Sequence, residues 1–280
     1  MYALKSIIVH LDGTERAAQR LVLARDLAQA HRAQLRSVLA IDRRFIPLPV
    51  PTSDGLPAVP LLDEPDPRHI ERAQAAYDRH IGGGPLRPGL EVVAGESALA
   101  AMVRRARLTD LVVFGQPEPG DPANADVPAG LAASVIVASG TPGLLLPHAV
   151  PAVAEPESVL LAWNDTREAA RALASALPML ARARCVHVAP HRASPDAPPG
   201  ESAAQAVAAY LHTHGILAVE THPDVPEHDA GNALLSLAAD VGAELLVMGC
   251  QRHHPAREWV LGGATRTVLA SMTLPVWMAH

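Results

Sequence analysis

Short apolar runs alternate along the chain with stretches in which apolar residues recur every three or four positions. The runs predict strands and the stretches predict helices. In the first half, strands are expected over 6–11, 35–41, 90–94, 110–115 and 143–147, with helices over 15–31, 67–81, 97–107 and 129–139. In the second half, strands are expected over 158–163, 184–189, 217–222, 244–249 and 275–279, with helices over 166–181, 201–214, 229–241 and 263–272. The runs IIVHL, LVVFG and LLVMG place apolar residues on both faces of a strand. That suits the centre of a parallel sheet covered by helices on each side. Alternating strand and helix units imply a doubly wound α/β fold, in which ligands sit beyond the carboxyl ends of the strands at the switch point.

The pattern occurs twice. SIIVHLDGT at 6–14 parallels SVLLAWNDT at 158–166, so that Asp12 corresponds to Asn164 at an offset of 152. Ala17, Leu21, Ala24 and Ala28 then mark a helical face in the first copy, as Ala169, Ala172, Leu173 and Ala176 do in the second. TDLVVFG at 109–115 parallels AELLVMG at 243–249, and Pro142 and Pro275 each stand before a final apolar strand at an offset of 133. The first copy is therefore longer by about 19 residues, mainly in 43–68, which holds seven prolines and reads as a long surface loop. A Pro/Ala stretch at 148–156 places the boundary between two domains, 1–150 and 151–280.

Composition narrows the function classes. With 49% apolar and 19% charged residues the chain can build sizeable cores, which must be aliphatic because aromatics are 3%. A formal charge of −6 argues against a nucleic-acid partner. The two cysteines, Cys185 and Cys250, give no disulfide framework and fit a reducing, cytoplasmic setting. Residues 127–147 carry no charge, yet Pro128, Pro142 and three glycines interrupt them. They are expected to form a short helix, a turn and a buried strand rather than a membrane span. The 14 histidines show no zinc-type spacing with Cys or acidic partners, and no metal site is expected. Cys250 is expected to be a buried apolar residue. No G-x-S-x-G elbow is present and no pair of catalytic carboxylates can be assigned, so no catalytic residue is expected.

The stretch ADVGAELLVMGCQRHHPAREWVLGGATRTVLASMTLPVWMAH at 239–280, with SVLLAWNDTREAARALASALPML at 158–180, resembles the universal stress protein family. The likeness extends, once per half, over nearly the whole chain. It implies a tandem member whose final strands, 143–147 and 275–279, pair within the chain as a pseudo-dimer, with a homodimer of chains as a further possibility. It also implies an adenine nucleotide such as ATP or AMP as the ligand class. Binding members carry a phosphate loop in which glycines let the backbone approach the phosphates at a helix start. Gly249 and Gly262 match that loop, whereas Arg252 and Gly263 stand where Gly and Ser or Thr are expected. In the first half Gly115 matches, but Glu118 and Ala129 do not.

By the same resemblance, Asp12 holds the place of the acid that contacts the nucleoside, and Asn164 replaces it in the second half. The candidate nucleotide-binding set is Asp12, Gly13, Thr14, Gly115, Ala162, Asn164, Thr166, Val188, Met248, Gly249, Arg252, Gly262, Gly263, Ala264 and Thr265. A second reading stands beside it, in which Asp12, Thr14, Asn164 and Thr166 serve as helix caps and Gly262-Gly263 as a packing turn. The expectation is a non-enzymatic stress-response module with weak or absent nucleotide binding. Two rivals are a slow ATP hydrolase built on Gly249, Arg252 and Gly262, and a small-ligand sensor with 43–68 as a lid.

Overall fold

The computed structural model describes residues 3–42, 45–47, 60–62, 67–81, 89–93, 96–118, 120–148, 152–191, 200–226, 229–250 and 262–280. Strands are β1 (Ser6–Leu11), β2 (Gln34–Leu39), β3 (Phe45–Pro47), β4 (Pro60–Leu62), β5 (Glu91–Val92), β6 (Leu111–Gly115) and β7 (Gly143–Leu146), then β8 (Ser158–Trp163), β9 (Cys185–Pro190), β10 (Val219–Thr221), β11 (Leu245–Gly249) and β12 (Val276–Ala279). Helices are α1 (Ala17–His31), α2 (Pro67–His80), α3 (Ala98–Ala106) and α4 (Leu131–Ser139), then α5 (Arg167–Leu180), α6 (Gly200–Thr213), α7 (Ala230–Asp240) and α8 (Gly263–Ser271).

Ten strands form one sheet in the order β10-β9-β8-β11-β12-β7-β6-β1-β2-β5. Read outward from its middle, each half repeats the same sequence of strands. Every contact is parallel except the central one, where β12 runs antiparallel to β7 with Trp277 opposite Leu144. The repeat extends to single bonds: Val112 donates its backbone N–H to Pro142 O at 3.1 Å, and Leu246 donates to Pro275 O at 3.0 Å.

Two apolar layers sandwich the sheet, as a doubly wound fold requires. One packs α1, α2, α5 and α6 against side chains such as Ile7, Val9, Val159 and Trp277. The other packs α3, α4, α7 and α8 against Ile8, Val112, Leu246 and Met278. Alternate residues of one strand therefore serve opposite cores, which is why the central runs are apolar throughout. In each half the chain moves outward from the first strand and then crosses to its other side. This places the switch points between β1 and β6 and between β8 and β11.

Two expectations need adjustment. The Pro-rich stretch is not strandless: β3 and β4 pair antiparallel within it, with Ile46 opposite Leu61. Its prolines fit because Pro47 and Pro60 sit together at one end of the ladder, where a missing N–H costs least. The remainder of 43–66 lies outside the described residues. A 3₁₀ turn over Pro122–Asp126, capped by Asp121, was also not foreseen. The uncharged segment 127–147 folds as α4, a left-handed Gly140 at φ 74° and the buried strand β7. Among the described residues, no helix is long and apolar enough to cross a membrane.

Candidate functional site

The first switch point is closed by a buried ion pair. Asp12 follows β1 directly and is 5% exposed; Arg20 lies in the first turn of α1 and is 4% exposed. Arg20 Nη2 donates to Asp12 Oδ2 at 2.9 Å. The other carboxylate oxygen, Oδ1, accepts the Thr14 backbone N–H at 3.0 Å and the Thr14 hydroxyl. Both oxygens of Asp12 are thus engaged within the chain. The guanidinium also rests on Gly115 at the end of β6, where an added Cβ would come within 2.6 Å of Arg20 Nη1. Gly115 makes room for this side chain.

Burial alone would raise the Asp12 pKa. Arg20, His10 and the two Thr14 bonds outweigh it and hold the carboxyl at about 2. His10, also buried, is pushed below its usual value by burial, against a smaller opposing pull from Asp12. Its Nε2 donates to the Ala40 carbonyl at 2.8 Å, a bond that, like Asp12, works against the effect of burial.

The start of α2 covers the same crevice. A Cβ on Gly13 would come within 2.3 Å of His69 Cβ, and Arg72 Nη1 donates to Gly13 O at 2.7 Å. His69 Nδ1 is hydrogen-bonded to the Asp126 carboxylate, and both residues are buried. Beside them lies a cavity of about 410 Å³, bounded by Asp12, Thr14, Gly115, Gln116, Leu131 and, from α8, Arg266. That volume falls in the range of small-ligand sites. Gln116 ties its wall to the second half, its Nε2 donating to Leu269 O at 3.0 Å, while its Oε1 accepts the His148 N–H at 3.2 Å.

The second switch point reproduces one part of this arrangement. Thr166 donates its hydroxyl to Asn164 Oδ1 at 2.7 Å and caps α5 by accepting the Ala169 N–H at 3.3 Å. The cap is therefore Thr166, with Asn164 behind it. In the first half the N-cap position is Arg16 and no side chain caps α1, so Asp12 and Thr14 serve a turn and an ion pair instead. Gly249 faces the α5 backbone directly: an added Cβ would stand 2.8 Å from Ala169 N. This glycine permits close packing of strand end on helix start.

The remaining expected residues are dispersed. Ala162 and Met248 are buried in the core beneath α7 and α8, whereas Val188 is buried in the opposite core beneath α6. Gly262 caps α8 and accepts the Arg266 N–H at 3.0 Å; Thr265 is buried, and a Cβ on Gly263 would meet nothing within 4 Å. Ala264, half-buried, packs at the edge of the α7–α8 core. Arg252 lies outside the described residues. Cys250 is fully buried.

Asp12 thus already accepts three hydrogen bonds from within the chain, and the Arg20 guanidinium fills the space above Gly115. Sequence reasoning missed Arg20, His10, His69, Asp126 and Gln116. The available signal was Arg20 itself, a charged residue on the apolar face marked by Ala17, Leu21 and Ala24.

Residues 156–280 match the family model described as universal stress protein family. A universal stress protein from Archaeoglobus fulgidus DSM 4304 shares the fold at 14% identity, with a TM-score of 0.64 over 98% of this chain and 97% of its own. A functionally unknown protein from Pseudomonas aeruginosa PAO1 does so at 14% identity, with a TM-score of 0.56 over 99% of this chain and 92% of its own. No curated protein matches the chain in sequence.

Proposed function

We propose that the chain, whose residues 156–280 match the universal stress protein family model, is a tandem stress-response module that works without nucleotide chemistry. The observation that carries this reading is the Asp12–Arg20 pair. Arg20 and Thr14 already use three of the roughly four acceptor positions of the Asp12 carboxylate, and a nucleoside that displaced Arg20 would leave one of two buried charges unpaired. Breaking such a pair costs about 3–5 kcal/mol, which a nucleotide would have to recover from its other contacts. In the second half, Asn164 brings no charge, and Gly249 is committed to packing against α5.

The tandem reading is supported by the repeated strand order about the β7–β12 contact. Because β7 and β12 pair with each other, neither offers a free edge to a second chain. An assembly of chains would need another surface, and signalling would pass through partners rather than product.

The test is to purify the full chain under reducing conditions, denature it and identify the released small molecules by mass spectrometry. The reading expects no stoichiometric adenine nucleotide. Release of about one ATP or AMP per chain would refute it and favour the hydrolase alternative.

A further inference from the structure

The sheet edge formed by β9 and β10 carries a side-chain cluster remote from both switch points. Alternation along a strand puts residues two apart on the same face. Val186 and Val188 point into the core beneath α6, so Cys185 and His187 point the other way. On β10, Glu220 lies opposite His187 in the parallel register. His222 follows two residues later and donates its backbone N–H to Val188 O at 2.9 Å. Cys-x-His on one strand thus faces Glu-x-His on its neighbour.

Three of the donor atoms already cluster, and the fourth, on His222, reaches the group through His187. Donor atoms of Cys185, His187 and Glu220 all lie within 4.8 Å of one another. His187 Nδ1 is 3.4 Å from Glu220 Oε2 and 3.1 Å from His222 Nε2. Ligands bound at about 2.0–2.3 Å around a tetrahedral ion stand about 3.3–3.7 Å apart, so the three clustered donors suit one ion, and His222 completes the set by turning towards it. His187 is buried, Cys185 and His222 are half-buried, and Glu220 is exposed, giving a site with an inner wall and an outer mouth.

We propose that Cys185, His187, Glu220 and His222 form a divalent metal site, with zinc as the ion its donors suit. One thiolate, one carboxylate and two neutral imidazoles offset the two positive charges of the ion, and mixed sulfur and nitrogen ligation favours zinc over magnesium or calcium. On binding, the Cys185 thiol releases its proton to solvent as the metal–sulfur bond forms. Four protein ligands leave no open coordination position, so the role is structural: the ion clamps the three-residue edge strand β10 to β9. The sequence hid the site because its two ligand pairs lie more than thirty residues apart and meet only across paired strands.

Cobalt(II) titration of the reduced full chain tests this, because a cobalt–thiolate bond gives an intense near-ultraviolet charge-transfer band that histidines alone do not produce. The expected result is one equivalent per chain with that band, competed away by zinc. Cys185→Ser should abolish the band. His222→Ala should weaken affinity by at least about tenfold, the loss that even an outer-shell partner of a metal site causes. His212→Ala, on α6, should leave both unchanged. Circular dichroism of each variant separates loss of metal from loss of fold. Absence of the band in folded wild type, or its survival in Cys185→Ser, would overturn the proposal.

Discussion

Arg20 Nη2 lies 2.9 Å from Asp12 Oδ2, with both side chains withdrawn from solvent. This bond makes Asp12 part of the scaffold. Arg20→Ala leaves the carboxylate buried without its cation, and stability to urea should fall by about 3–5 kcal/mol. A double variant, Asp12→Leu with Arg20→Met, should regain most of that loss, since apolar replacement of a buried pair is often neutral. A double variant as unstable as the single one would assign the cost to packing.

The same pair sets an acid limb. The Asp12 carboxyl has a pKa of about 2 in the folded chain against an ordinary 3.8. A depressed folded pKa gives stability that is fully present above the unfolded value and is lost as pH falls through the folded one. The contribution, of order 2 kcal/mol, should therefore disappear between about pH 4 and pH 2. Unfolding free energies measured across that window should fall in wild type, and the difference from Asp12→Asn should shrink towards pH 2.

Gly249 and Gly263 should behave oppositely when changed to alanine. At Gly249 the new Cβ meets the α5 backbone at 2.8 Å, and overpacking of this kind costs about 1–3 kcal/mol. At Gly263, exposed at the start of α8 with open space around it, alanine should be neutral or stabilising by up to about 1 kcal/mol. Thermal melts of the two variants check both. Equal tolerance would argue that Gly249 is held for something other than packing.

Trp277 lies at the centre of the ten-stranded sheet, fully buried on β12, and donates its indole N–H to Ser175 Oγ at 2.9 Å. Trp277→Ala should cost about 3–5 kcal/mol. Ser175→Ala, which leaves the indole N–H unpaired, should cost about 1–3 kcal/mol. Denaturant midpoints at constant slope are the readout.

The elements were legible because each helix buries one periodic face while the central strands bury both. IIVHL and LLVMG could serve only as central strands, and Ala17, Leu21 and Ala24 mark the buried face of α1. The edge strands were expected longer, at 90–94 and 217–222, than the observed Glu91–Val92 and Val219–Thr221. An edge pairs on one side only, so composition extends further than the ladder. The site was half legible. Asp12 could be located at a strand end, but its use is decided by Arg20, which returns to the crevice only once α1 has folded. His69 and Asp126 are 57 residues apart in sequence. Their pairing is set by how α2 packs over the first crevice, which no local pattern records.

The central claim is that the first crevice is closed by its own arginine and the second lacks the acid. Calorimetric titration of the full chain with ATP, repeated on Asp12→Ala and Gly262→Asp, tests it most directly. The account predicts no saturable binding tighter than about 1 mM, equivalent to about −4 kcal/mol, in any of the three. Micromolar binding to wild type that either substitution abolishes would contradict it.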